Sequence, residues 1–177
     1  MIRAVLHAGA RAFGRKYAYD TDYMHEVIDT SVGAGLALTL FPMLSQHRGP
    51  QVARAVWFGA LLASTLDGDC GPCGQLVVDM ALEQGVSADH LLAAIEARFS
   101  DAGDVGLGFQ FAQQAIARSY DANEFADTIR ARFGDHALVA ASFAAATGRF
   151  YPVFKRGLGQ GHACQRIDVG GRLGEVA

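Results

Sequence analysis

The sequence predicts an all-α protein, a multi-helix bundle followed by an irregular C-terminal tail. Three observations carry that expectation. Apolar residues recur at helical spacing through most of the chain. Gly, Pro, Ser and Asp stop and restart the pattern at short intervals, and the apolar runs are rich in Ala and Leu, without the strict alternation of a half-buried strand.

Helices are expected to start near Ile2, Asp22, Ser31, Pro50, Pro72, Ser87, Asp104, Asp121 and Asp135. Arg3, Arg11, Arg15 and Lys16 precede the first acid, Asp20, as in transit or signal sequences, but the segment reads as a first amphipathic helix. The run Val32 to Leu44 is 13 residues long and contains Pro42. It falls short of the roughly 20 residues needed to cross a bilayer and reads as a buried helix. Val52 to Leu66 is helical by composition, and Gly85 stops the helix that begins at Pro72. Ser87 is a good N-cap, after which Leu91, Leu92, Ile95 and Phe99 share a face. Asp121 with Glu124 makes an acidic capping box before Phe125, Ile129 and Phe133. Gly134 closes that helix, and Asp135 is placed to cap the next, which runs through Leu138 and Phe143 toward Pro152. Phe99, Phe109, Phe111, Phe125, Phe133 and Phe143 read as core by their spacing. The tail after Gly157, with Gly159, Gly161, Gly170 and Gly171, lacks helix character and is expected along the surface, within reach of a neighbouring subunit.

The 177 residues suit one domain, with N-terminal helices over 1–49, a core over 50–159 and a tail over 160–177. Apolar residues make up 51% and charged residues 19%, which leaves apolar surface for self-association to hide. A homo-oligomer is therefore expected. The net charge of −3 offers no clustered basic face for nucleic acid, and no membrane partner is expected. Three cysteines without a secretory pattern suggest a reducing compartment, and the cytoplasm is expected.

The most informative stretch is Cys70-Gly71-Pro72-Cys73, two of those cysteines at the entrance to a helix. Pro72 suits the first turn, where a missing N–H is no loss. Cys73, Leu76, Val77, Met80 and Ala81 fall on one face, so Cys73 is expected inside and Cys70 at the exposed end, where unpaired N–H groups favour a thiolate. Three uses compete. Zinc would need four ligands, and the only remote candidates, His162 and Cys164, are separated by one residue. A structural role as small buried residues is the second, and reversible thiol–disulfide chemistry the third and favoured one. The same four letters occur in thioredoxin, but that chemistry requires a strand leading into the motif, and the preceding segment is a helix.

With the motif at a helix start in an all-α chain, the sequence resembles the AhpD-like superfamily, which includes alkylhydroperoxidase D and carboxymuconolactone decarboxylases. The resemblance covers roughly Pro50 to Gly159 and rests on the order of its pieces: the helix into Asp69-Cys70-Gly71-Pro72-Cys73, then Met80 to Ser87, Phe111-Ala112, the Phe125 to Gly134 helix, and Arg149-Phe150-Tyr151-Pro152. It implies an AhpD-like bundle, an oligomer, and reduction of peroxides without a bound cofactor or metal. Cys73 then corresponds to the peroxidatic thiol and Cys70 to the resolving thiol. Active relatives also carry a proton relay, a histidine four residues after the second cysteine and a glutamate about twelve before the first. Those positions are Val77 and Phe58 here, so the implied general base is missing. From Ala55 to Ala97 there is no Lys or Arg, and Asp67 and Asp69 are expected to oppose a thiolate at Cys70. Arg149 and His162 are read as surface residues or ion-pair partners.

The expected function is a thiol–disulfide oxidoreductase using Cys70 and Cys73, with at most weak hydroperoxide reductase activity, whose partners are a small peroxide and a dithiol reductant. Cys164 is expected to stay outside the pair. The alternatives are a non-catalytic AhpD-like assembly or binding protein, and a decarboxylase-like lyase for which no polar cluster stands out.

Overall fold

The computed structural model describes residues 1–161 and 166–175. The N-terminal layer comprises α1 (Ile2–Tyr17), α2 (Asp22–Thr30), α3 (Val32–Leu40) and α4 (Pro42–Ser45). The core follows with α5 (Arg54–Asp67), α6 (Gly71–Glu83), α7 (Ala88–Ile95), α8 (Gly103–Ile116), α9 (Ala122–Phe133), α10 (Asp135–Thr147) and α11 (Phe150–Gly157). A hairpin, β1 (Arg166–Val169) and β2 (Arg172–Glu175), completes the described chain, so the all-α expectation holds apart from eight strand residues.

Helix α5 is the axis of the core, flanked by α8 and α10, and ten consecutive residues, Val56–Thr65, are buried along it. Its crossing with α8 is backbone on backbone. A Cβ on Gly59 would lie 2.0 Å from the Val105 carbonyl oxygen, and one on Gly108 would lie 1.9 Å from that of Val56. Contacts that pair a rising number on α5 with a falling one on α8 make the two helices antiparallel. Phe109 and Phe111 are buried here, and Phe99, Phe125 and Phe133 pack against the same cluster. Asp135–Gly157 is one helical stretch long and apolar enough to cross a membrane by length and composition, with 44% of its apolar window buried. Ala137, Ala140, Ala141 and Ala144 of that stretch belong to the core cluster.

Local chemistry explains the boundaries, with three corrections. Ser31 and Ser87 cap α3 and α7, accepting from the amides of Ala34 (3.2 Å) and His90 (3.4 Å). Asp121 precedes α9 but its backbone is already helical (φ −61°), so its carboxylate makes no cap hydrogen bond. Asp135 is the first residue of α10 rather than its cap. Gly134, at φ 84°, makes the turn, and Asp135 pairs with Arg130 at 3.0 Å. The Val32 to Leu44 run is not one buried helix. It breaks at Phe41-Pro42; Leu36 and Leu40 are exposed because α3 is apolar around most of its surface while Gly35, Leu38 and in part Val32 face the rest of the chain, and Met43 and Leu44 are exposed on the short α4.

Among the described residues the tail carries no helix, as expected, but it does not simply follow the surface. Gly170 and Gly171, both at positive φ, close the two-residue turn of the hairpin, and Ile167 and Val169 are wholly buried against the core. Gln75 on α6 holds the strand like a neighbouring strand would. Its Nε2 donates to the Asp168 carbonyl (2.9 Å) and its Oε1 accepts from the Asp168 amide (2.8 Å).

Candidate functional site

Cys70 is the N-cap residue of α6, in extended conformation, and Pro72 sits in the first turn. The extended cap turns its side chain back toward Cys73, with a Cα–Cα distance of 5.3 Å, and the two are joined as a disulfide. The expected juxtaposition is therefore present. Cys164 and His162 lie outside the described residues. Among the described residues no cluster of His, Cys, Asp or Glu could hold a metal ion.

Cys73 is buried, as its face of the helix predicts, but Cys70 is buried as well, each 4% exposed. The expected exposed end is covered by α11. Arg156 donates to the carbonyls of Gly68 (3.0 Å) and Asp69 (3.1 Å), and Pro152 lies so close over Gly68 that a Cβ there would fall 2.4 Å from the proline ring. Asp69 itself takes a left-handed backbone (φ 53°), which turns the chain sharply into α6.

Each of the two aspartates has a cationic partner, so the negative charge beside the cysteines is not bare. Arg149 pairs with Asp67 at 2.8 Å and Arg156 with Asp69 at 3.3 Å, so α11 and the residue before it bring the cations that the local sequence lacks. Arg149 is thus the ion-pair partner it was expected to be. In the same way Lys16 reaches Glu83 (2.9 Å) and Arg172 reaches Asp89 (2.7 Å).

A cavity of about 690 Å³ lies between the N-terminal layer and the core, and Cys73 is in its wall. Leu6, Phe13, Leu38, Val77 and Met80 make most of it apolar. Val77 thus faces the cavity without a titratable group, while Phe58 is sealed in the core against Trp57. Neither can move a proton.

Polar residues do reach the site, from places where sequence reasoning did not look. Ala18, in left-handed conformation (φ 48°), ends α1 and reverses the chain, and the Tyr19 amide donates to Gly14 O at 3.0 Å. The turn aims the Tyr19 ring inward and places its Oη 3.6 Å from Cys73 Sγ. Tyr19 packs edge-on against Tyr23, and Tyr23 against Tyr151. Burial pushes the Tyr19 and Tyr151 hydroxyls up to about 12 and that of Tyr23 higher still, so all three keep their protons through neutral pH. Behind them stands Lys155, only 1% exposed. Its Nζ lies 5.0 Å from the Tyr19 ring centre and 5.2 Å from that of Tyr23. No pattern in the sequence marks these residues. Tyr19 is one aromatic among many, and Lys155 reads as the basic last turn of a surface helix.

No family model, curated protein or solved structure matches this chain.

Proposed function

We propose that this protein is an AhpD-like thiol–disulfide oxidoreductase in which Cys70 and Cys73 alternate between dithiol and disulfide. The observation that carries the reading is a bonded cysteine pair at a helix N-terminus with one sulfur in the wall of a 690 Å³ cavity. A cavity of that size and apolarity accepts an organic molecule, so the oxidant is a hydroperoxide with an apolar body. The Cys73 thiolate attacks its terminal oxygen, the O–O bond breaks, and the alkoxide leaves as the alcohol after taking a proton. Cys73 is then a sulfenic acid. The Cys70 sulfur displaces hydroxide from it, two protons in all are taken up by the departing oxygens, and water and the disulfide result. A dithiol reductant restores both thiols by exchange. The absence of a base at Val77 and Phe58 keeps the peroxide step slow, while exchange with the dithiol does not depend on that base.

The exposed Leu36, Leu40, Met43 and Leu44 support self-association, and the cytoplasm is the compartment that keeps such a pair reducible. A second reading has one observation in its favour. Because both sulfurs are buried, the bond could instead be a fixed staple in a non-catalytic assembly protein. A redox titration of the folded protein, read by mass spectrometry after thiol trapping, separates the two. Reversible opening of the 70–73 bond with circular dichroism unchanged is expected. A bond that opens only when the protein unfolds would sink the oxidoreductase reading.

A further inference from the structure

Lys155 poses the sharpest question in the molecule. Its ammonium is buried in a site that an apolar side chain of similar shape would fill at lower cost, and among the described residues Nζ has no hydrogen-bond partner. The faces of Tyr19 and Tyr23 are what it touches. Tyr19 in turn touches Cys73 Sγ. An ammonium, a phenol and a thiol thus stand in sequence, delivered by α11, the α1–α2 link and α6.

We propose that Tyr19 is the hydrogen-bond donor to the Cys73 thiolate and that Lys155, acting through the Tyr19 ring, is the positioning residue that supplies the positive charge behind it. This deepens the thiol–disulfide reading and rests on it. When a dithiol reductant opens the disulfide, the S–S bond breaks and its two electrons reside on the protein sulfurs, while the reductant becomes the disulfide. Negative charge on Cys73 Sγ meets the Tyr19 Oη–H, which donates and keeps its proton, since burial holds that hydroxyl far above neutrality. On reoxidation the electron pair passes to the hydroperoxide and the hydrogen bond is released. The arrangement replaces a base with a donor. It makes the thiolate easier to form but does not carry its proton away.

The groups around Lys155 fit this role. Tyr19 and Tyr23 present ring faces from the α1–α2 link and α2, and Tyr151 stands on its own helix beside Tyr23. Burial lowers the lysine's pKa, and the exposed Asp20 carboxylate acts in the other direction, favouring the ammonium. Asp67 and Asp69, the acids nearest the cysteines in sequence, are engaged by Arg149 and Arg156.

The test needs no turnover, so it stands or falls separately from the enzymatic reading. In a Cys70→Ser background, which leaves Cys73 as the thiol at the site, thiolate absorbance is followed against pH together with the rate of Cys73 alkylation by iodoacetamide. Cys73 is expected to titrate below the ordinary thiol value of about 8.5. Tyr19→Phe removes one oxygen atom and should raise that value by about one unit, roughly a tenfold loss of thiolate at neutral pH. Lys155→Met should raise it by a similar amount, and adding Tyr19→Phe to it should change little more. A Cys73 with an ordinary pKa, or a titration that Tyr19→Phe leaves unmoved, overturns the proposal. If Lys155→Met fails to fold by circular dichroism, those two measurements still decide. Loss of hydroperoxide reduction with an unmoved thiol pKa would count for a purely structural Tyr19.

Discussion

The α5–α10 core and the α1–α4 layer are built on opposite terms. In the core, backbones touch at Gly59 and Gly108, and the cluster from Ala53 to Ala145 is continuous. The N-terminal layer is held by two small clusters, one around Tyr19, Tyr23, Val27 and Leu38 and one around Leu6, Ala10 and Ile28, and it leaves much of its apolar surface outside. The cavity lies at the seam between them. The rigid side supplies the cysteines, and the loosely attached side supplies the phenol that meets Cys73. The site thus depends on docking between a layer packed backbone on backbone and one held through two small side-chain clusters.

The α5–α8 crossing is the most sensitive point of the core. Gly108→Val would drive a side chain into the Val56 carbonyl and should cost at least about 3 kcal/mol in urea unfolding, or prevent folding. A loss under about 1 kcal/mol would show that the core yields more easily than its backbone contact implies.

Next in size is Ile167→Ala. Its wholly buried side chain should be worth about 2 to 4 kcal/mol by the same measurement, because the hairpin cannot collapse far into the space left behind. A smaller loss would show that the hairpin is only lightly attached to the core.

Alkaline pH sharpens the seam itself. Burial sets Tyr19 and Tyr151 near 12, against about 10 for an unfolded tyrosine. Between those values the folded chain retains protons that the unfolded chain has lost, so stability must fall as pH rises from about 10 toward 12. Lys155, held down by burial, works in the opposite direction only below its ordinary value. Circular dichroism melts across that range, with Tyr19→Phe in parallel, should show a decline that the variant softens.

The smallest expected effects are at the periphery. Arg156→Ala should cost about 0.5 to 1 kcal/mol but raise the rate at which Cys70 is trapped after reduction, because the loop over it loses two carbonyl anchors. Met43→Lys, on an exposed position, should change monomer stability by less than about 0.5 kcal/mol. Yet it should shift the mass seen by light scattering toward the monomer if the α3–α4 surface is where copies meet.

Much of the fold was legible because helix punctuation is local: Ser31, Pro72, Ser87 and Gly134 each mark a boundary the structure keeps. The cysteine pair was legible for the same reason. Its environment was not. Arg156, Tyr19 and Lys155 come to the surroundings of the cysteines across long stretches of chain, and nothing in their own neighbourhoods signals it. The Val32 to Leu44 run reads as buried but is largely exposed, because apolar composition gives the preference for burial without saying what will provide the cover. Ile167 and Val169 were hidden by the glycines around them, which read as surface loop although they make the turn that lets two residues reach the core.

The bonds from Gln75 to Asp168 span 93 residues, and that distance has a meaning in time. A ribosome adding about 5 to 20 residues per second needs roughly 5 to 20 seconds to reach the strand that steadies α6. Arg156, which covers Cys70, also emerges late. For that interval α6 lacks the strand that ties Gln75 down and the loop before Cys70 lacks its anchor, so the setting of the cysteine pair is completed only after Arg156 and Asp168 have been added.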